Sequence, residues 1–294
     1  MNEAITYTEI SDLLERLTPY DTDVMDSTTH FRDWLCAFTR DDKPAFRKLR
    51  LELFAAHHGA AIAAYGRDTA CRTFENYLQN CVSNQAPIAK LCQDIEADLR
   101  VYEMDFNTPA RDRRHEPAMD EQAMVRAVSY GMMAIAPDAD IYAMGAFGAG
   151  SHECAYELLE TDEAPLACLQ NRGGFEICAL AGAILATRLA GLPLLLEAPQ
   201  GLSALHVLSR HVPHIGQHCC VVYTLQERET LPEPPGKAHS LVIDDPLPDQ
   251  PGIACAFALS RVRALGPVID AAHASQIDEH EDKAEKGHHM RHGA

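Results

Sequence analysis

The hydrophobic and polar positions of this chain follow two alternating patterns, one typical of strands and one typical of helices. Short apolar or alternating runs predict strands at residues 49–54, 99–105, 139–144, 192–197 and 219–224. Stretches with an apolar residue every three or four positions lie between these runs and predict helices. Because the two element types alternate, we expect an α/β fold with a doubly wound, mostly parallel, Rossmann-like sheet.

The helical pattern is found at residues 8–17, 31–38, 68–80, 85–98, 119–135 and 253–274. A further helix at 175–190 is apolar on nearly every side, which predicts that it is buried all round. Gly191, directly after it, is a typical helix stop. Segment 227–251 is rich in proline, and we expect it to be an irregular surface excursion.

Three regions are predicted along the chain. Residues 1–48 are expected to form an N-terminal helical segment, and residues 49–274 the α/β domain. The remaining residues, 275–294, form a charged, histidine-rich tail. Its histidines could bind a transition metal, but they show no fixed ligand spacing, so a disordered tail and no metal site are predicted.

Composition and charge narrow the class of protein further. A chain of 294 residues with 47% apolar content can bury a full core in one large domain. Its formal net charge of −18 repels nucleic acids and anionic membranes. Without a long apolar run or a basic N-terminal leader, the protein is expected to be cytoplasmic. The ten cysteines include no C-x-x-C pair, which favours reduced, mostly buried thiols.

Two glycine-rich turns could bind an anion. The first, residues 145–151, follows a predicted strand and precedes a predicted helix, where backbone amides can surround a phosphate. Its spacing is not the dinucleotide-binding fingerprint, so spacing alone favours a purely structural turn. Gly173 and Gly174, before the buried helix, could serve the same purpose.

Ionisable residues at the ends of predicted elements are candidate catalytic groups. Glu176 lies in the first turn of the buried helix, where it could bind a sugar hydroxyl or stabilise the helix N-terminus. Glu197 ends an apolar strand and could face a ligand crevice or form a salt bridge or cap. His58 and His152 could act as acid or base. His57 and His58 are neighbours on a strand, so at most one would face a given site, and a core histidine is the structural alternative.

Several motifs have counterparts in one known family. They are Gly-Gly-Phe-Glu at 173–176, Leu-Pro-Leu-Leu-Leu-Glu at 192–197 followed by Ser203, Ala-His-His-Gly at 56–59, Gly-Ala-Phe-Gly-Ala-Gly at 145–150, and Gly-Pro-Val-Ile-Asp-Ala-Ala at 266–272. In this order they resemble the nicotinate-nucleotide:dimethylbenzimidazole phosphoribosyltransferase family, which assembles the lower ligand of cobalamin. The resemblance extends from about residue 49 to 274.

The resemblance implies a homodimeric enzyme without a cofactor that acts on small molecules, nicotinate mononucleotide and an aromatic base. It also implies a set of substrate-binding residues: Gly145, Gly148, Ala149, Gly150, Gly173, Gly174, Glu176, Glu197 and Ser203.

The chain also departs from the family pattern. The family's glutamate base, in a G-E-G-[ST]-G stretch, is absent from the corresponding residues 256–260, and Ala146 replaces a glutamate of the glycine loop. The segment between the glycine loop and the Gly-Gly-Phe helix is shortened to 154–172. A missing general base lowers a rate by about 10²- to 10⁴-fold. These departures favour reduced or altered activity. The alternative is a non-catalytic relative that senses a nucleotide or base, or pairs with an active homologue.

Overall fold

A six-stranded sheet with all strands parallel forms the centre of the molecule. The computed structural model describes residues 5–19, 30–39, 45–136, 138–244, 247 and 250–289, with the backbone alone for 272–289. The predicted α/β fold with a parallel, doubly wound sheet is confirmed. The strands are β1 Leu49–Ala55, β2 Ala97–Glu103, β3 Ile141–Phe147, β4 Leu194–Glu197, β5 Cys219–Thr224 and β6 His239–Ile243.

The strand order is β2-β1-β3-β4-β5-β6. After β1 the chain adds β2 on one side and then returns to place β3 on the other side, with Leu53 in register with both Val101 and Gly145. The order therefore begins as in flavodoxin-like sheets rather than as in the Rossmann order. In such sheets a crevice opens at the carboxyl ends of the strands where the order reverses, here between β1 and β3.

Helices cover both faces of the sheet. The helices are α1 Tyr7–Arg16, α2 Phe31–Cys36, α3 Gly59–Tyr65, α4 Arg67–Val82, α5 Pro87–Asp94, α6 Glu121–Ala134, α7 Ser151–Leu159, α8 Pro165–Arg172, α9 Phe175–Ala190, α10 Gln200–Ser209, α11 Leu225–Thr230 and α12 Ile253–His289. One core lies between the sheet and α6, α9 and α10, and includes Phe54 and Tyr142. The other lies between the sheet and α5 and α12, and includes Leu53 and Ala143. Because both faces are covered, the central strands are apolar at nearly every position.

Helix α9 is buried on almost all sides, as its composition predicted. Two glycines permit this. A Cβ on Gly182 would lie 1.9 Å from the Val128 carbonyl oxygen of α6, and one on Gly131 would lie 1.8 Å from the Ala179 carbonyl oxygen of α9. The two helix backbones therefore touch directly. The predicted stop is also found, since Gly191 caps α9 in the left-handed conformation at φ 67°.

Three predicted boundaries were wrong. Segment 227–251 is not wholly irregular, because it contains the end of α11 and the edge strand β6. The helix predicted at 85–98 ends at Asp94 because Glu96 has a positive φ of 54°, and β2 starts at Ala97. The last helix does not end at residue 274 but continues to His289.

All ten cysteines are free thiols, nine of them buried, which agrees with the expectation from their spacing. Among the described residues, no helix has both the length and the apolar composition needed to cross a lipid bilayer.

Candidate functional site

A cleft of about 360 Å³ lies at the carboxyl ends of the central strands. Its floor is formed by the ends of β3 and β4 and the residues directly after them, from Ala146 to Gly150 and from Glu197 to Gln200. Helices α3 and α4, which follow β1, supply Tyr65 and Phe74 to one wall. The cleft thus lies where a doubly wound sheet with this strand order is expected to bind its ligand.

The glycine loop after β3 lines this cleft, and close packing accounts for its glycines. Gly148 has a φ of 150°, and a Cβ there would lie 1.5 Å from the Ala56 carbonyl oxygen. Gly150 has a φ of 81°, and its Cβ would lie 3.0 Å from the His58 Cβ. These positions require glycine because the loop crosses directly over the end of β1.

Glu197 lines the cleft at the end of β4 and is 8% exposed. Its Oε2 accepts a hydrogen bond of 2.6 Å from the Gly252 backbone amide. Gly145 makes room for this carboxylate, since a Cβ there would lie 2.6 Å from Oε2. Of the carboxylates proposed from the sequence, Glu197 is the one that the structure places in the cleft.

Glu176 is placed elsewhere, in a fully buried network beneath the glycine loop. Its Oε1 lies 2.8 Å from His58 Nε2 and accepts a hydrogen bond of 2.8 Å from Ser151 Oγ. The Gln200 amide donates to Ser151 Oγ over 3.4 Å, and Gln200 lines the cleft. On the far side, the Arg113 guanidinium lies 3.5 Å from His58 Nδ1. Among the described residues of this network, Gln200 is the one that lines the cleft.

The charge of Glu176 is stabilised within this network. Burial alone would raise the pKa of its carboxyl, but His58 and the hydrogen bond from Ser151 outweigh burial and lower the pKa overall. Gly174 makes room for the pair, because a Cβ there would lie 2.3 Å from Glu176 Oε2 and 2.4 Å from His58 Cε1.

Several predicted substrate-binding residues are thus outside the cleft. Gly173, Gly174 and Glu176 are buried behind the glycine loop and do not line the cleft. Ser203 is also buried, and its hydroxyl donates to the Gln200 carbonyl oxygen within α10. The paired-glycine turn and the acid that ends β4 therefore do not border one cleft. The physical reason is that α9 packs directly against α6, and this packing places the N-terminus of α9 beneath the glycine loop.

His57 is buried with one face stacked on Phe106. Its Nδ1 accepts a hydrogen bond of 3.1 Å from the Ala149 amide, so the neutral ring carries its proton on Nε2. Burial, followed by the charge of Arg67, lowers the His57 pKa to about 4. Donor atoms of His57, Cys71 and Glu75 lie within 4.8 Å of one another. A metal ion would need the lone pair of Nε2, which this tautomer lacks, so the arrangement does not fit a metal site.

Other residues of the cleft were not among the site candidates predicted from the sequence. Glu153 lines it in the first turn of α7, beside the predicted His152, whose pKa is lowered by partial desolvation. Thr224 and Glu227 line it as the capping box that starts α11. The spacing Thr-x-x-Glu at the end of a predicted strand is the signal that could have located this pair.

Comparison with known proteins agrees with this architecture. Residues 29–161 and 153–229 match a family model described as Phosphoribosyltransferase. Over 79% of its length the chain is 26% identical to the nicotinate-nucleotide–dimethylbenzimidazole phosphoribosyltransferase of Brucella anthropi, 80% of which it covers. It is 25% identical to the protein of the same name from Rhizobium rhizogenes, with 79% and 80% covered. A crystal structure of the Thermus thermophilus protein of that name has the same fold, with a TM-score of 0.64 at 18% identity, covering 89% of this chain and 94% of that chain.

Proposed function

We propose, because the chain belongs to this phosphoribosyltransferase family, that it transfers a ribosyl group from one aromatic nitrogen base to another. The names of the relatives specify nicotinate nucleotide and dimethylbenzimidazole, and these are the first donor and acceptor to test on this chain. The corresponding role is assembly of the lower ligand of cobalamin.

The observation that carries the proposal is the position of Glu197 in the cleft. In the reaction the bond between C1′ and the departing pyridine nitrogen breaks, and positive charge develops on the sugar. A carboxylate held in a fixed position beside the sugar stabilises such charge. The incoming base then forms its bond to C1′ and must lose a proton, which a carboxylate can accept. Glu197 is 8% exposed and held by the Gly252 amide, so it is in a fixed position for both tasks.

Glu176 and His58 are assigned a supporting role. Both are buried, and neither lines the cleft. The Ser151 hydroxyl donates to Glu176 and accepts from the Gln200 amide, so the buried pair holds Gln200 in place. Ser151 is also the first residue of α7, directly after the glycine loop, so the same contacts anchor the end of the loop. They are positioning residues for the floor of the cleft.

The test compares the wild-type protein with Glu197→Gln in the presence of nicotinate mononucleotide and dimethylbenzimidazole. Gln can still accept the hydrogen bond from Gly252, so the variant retains the local structure. We expect release of nicotinate and formation of the new riboside phosphate by the wild type, with the rate of Glu197→Gln lower by about 10²- to 10⁴-fold. Glu160→Gln, an exposed acid at the end of α7, is the matched control and should leave the rate unchanged. A Glu197→Gln rate within threefold of wild type contradicts the assigned role.

The second candidate function is binding without transfer. It is favoured by Ala146, which lines the cleft where the resembled family carries a glutamate. Ligand binding without any release of nicotinate, by the wild type and across a range of acceptor bases, would support this function over the enzyme.

A further inference from the structure

A second pocket adjoins the cleft. It measures about 380 Å³ and lies between α4, the start of α5 and the segment that precedes α12. Phe74, Gln250 and Pro251 line both the cleft and this pocket, so the two cavities meet at these side chains. A transfer between two substrates needs room for both, and a pocket of this size is large enough for a small molecule.

Four side-chain amides line this second pocket, which we call the amide pocket. They belong to Asn76, Asn80, Gln85 and Gln250. None of the described residues that line it is Asp, Glu, Lys, Arg or His. Because its lining side chains offer no opposite charge to an ion, the amide pocket is suited to a neutral ligand with hydrogen-bonding groups.

These side-chain amides are available to a ligand. Asn76, Asn80 and Gln85 are exposed, and their side chains make no hydrogen bond to another described residue. Gln250 Oε1 is buried and also has no hydrogen-bond partner, which is rare for a buried polar atom. Asn76 and Asn80 are four residues apart on α4, so they lie on the same face of the helix. Each amide offers two N–H donors and a carbonyl acceptor, so the group can bind both donors and acceptors on one ligand.

Aromatic rings and prolines supply the apolar surface of the amide pocket. Phe74 and Tyr77 lie on α4, and Pro87 begins α5. The Tyr77 hydroxyl donates a hydrogen bond of 2.6 Å to the Pro251 carbonyl oxygen, and its ring packs edge-on against Phe147 at 5.3 Å between centroids. These contacts hold α4 against the segment that precedes α12 and fix the walls of the pocket. Aromatic side chains are suited to contact a flat aromatic ring.

We propose that the amide pocket binds the six-membered ring of the acceptor base and selects bases that carry hydrogen-bonding groups on that ring. This inference rests on the proposed ribosyl transfer and specifies its acceptor. The five-membered ring, whose nitrogen forms the new bond to C1′, lies at the boundary near Phe74 and Gln250 and faces the cleft. A hydroxyl or amino group on the six-membered ring then meets the side-chain amides of Asn76 and Asn80. A methyl group at the same position displaces water from these amides without replacing its hydrogen bonds, so such a base binds less tightly.

Two acceptors of nearly equal size test the proposal by calorimetric titration into the full-length protein: 5-hydroxybenzimidazole and 5-methylbenzimidazole. We expect the hydroxylated base to bind about fivefold more tightly, as one hydrogen bond between neutral groups allows. Asn76→Leu and Asn80→Leu should each reduce this ratio of affinities, and the double variant should bring it to within a factor of about two. Gln79→Leu removes an exposed amide from the same helix outside the pocket, so this control should leave the ratio unchanged.

The outcomes separate this proposal from the proposed function. Equal affinities of the two bases for the wild type, or a ratio that the double variant does not change, overturns the assignment of the acceptor to the amide pocket. If nicotinate is released from the mononucleotide equally well with both bases, ribosyl transfer stands while the acceptor preference fails. If the hydroxylated base binds more tightly and the double variant removes the difference, but no nicotinate is released with any base, the amide pocket stands and the transfer reaction fails.

Discussion

Removal of the Glu176 side chain is the sharpest test of the distinction between a buried support and a site residue. In Glu176→Ala, His58 Nε2 and Ser151 Oγ lose the oxygen that both contact at 2.8 Å. His58 is 1% exposed and Ser151 is also 1% exposed, so water cannot easily replace this oxygen. Two buried polar groups would be left without their partner.

The expected loss follows from these contacts. A buried donor left unsatisfied costs about 1–3 kcal/mol, and loss of one partner of a buried ion pair costs about 3–5 kcal/mol. We therefore expect the free energy of unfolding to fall by about 3–5 kcal/mol in Glu176→Ala. Glu176→Gln should lose less, about 1–2 kcal/mol, because its amide oxygen can still accept from both partners.

The pH dependence has a definite sign. The pKa of Glu176 is lowered in the folded protein, so the folded state favours the ionised carboxylate. Its stabilising effect is present above the pKa of the unfolded chain and is lost as pH falls through the lower folded pKa. The contribution of Glu176 to the difference between wild type and Glu176→Ala should therefore shrink in acid, below about pH 4.5.

The assay is urea unfolding at pH 7, followed by circular dichroism and by the fluorescence of Trp34, the one tryptophan of the chain. Glu160→Ala, at an exposed position, is the control and should change the unfolding free energy by no more than about 0.5 kcal/mol. A loss below about 1 kcal/mol in Glu176→Ala, with an unchanged dependence on urea, would refute the structural role. If ribosyl transfer were abolished at the same time, Glu176 would have to be reassigned to the substrate.

Three further predictions concern the core. Burial raises the pKa of Glu52 to about 7, so between about pH 4.5 and 7 the folded state binds one proton more than the unfolded chain and becomes less stable as pH rises. Glu52→Gln should therefore raise the unfolding free energy by about 2–3 kcal/mol at pH 8 and leave it nearly unchanged at pH 4.5. Urea unfolding at both pH values measures the difference. Gly182→Ala should lower the melting temperature by several degrees or prevent folding, because its Cβ would lie 1.9 Å from the Val128 carbonyl oxygen. Gly191→Ser meets no atom within 4 Å but keeps a positive φ, so it should lower the unfolding free energy by only about 1 kcal/mol. Equal effects of the two substitutions would contradict direct contact of the α6 and α9 backbones. Cys36 is the one cysteine that is not fully buried, so a thiol reagent should label it first in the native protein, and Cys36→Ser should remove the fast phase of labelling.

The sequence predicted those features that depend on local pattern. The runs that became β1, β3, β4 and β5 are apolar at most positions because helices cover both faces of the sheet. The strand order could not be read from the alternation of elements, since that alternation is the same for the Rossmann and flavodoxin-like orders. Edge strand β6 was missed because it has five residues within a proline-rich segment and pairs with β5 alone.

The sequence could predict a site residue only where its position in its own helix or strand decides whether it faces the cleft. Glu197 ends an apolar strand, and the end of that strand is at the cleft, so its position along the chain is enough to place it beside the cleft. Glu176 is equally well placed at a helix start, but whether it faces a ligand or the interior depends on His58, which is 118 residues away in the chain. The fold alone predicts where the cleft lies, whereas the role of each acid depends on long-range packing.

The same long-range packing decides the role of the glycines in the loop. Gly148 and Gly150 are required because the loop lies directly over β1, and this close approach turns the Ala149 amide towards His57. An amide that satisfies a buried histidine is no longer available to a phosphate, so the packing that builds the floor of the cleft also removes part of its capacity to bind an anion. The glycine motif alone would indicate a phosphate site. The hydrogen bond from Ala149 to His57 shows that backbone packing already uses one amide of the loop.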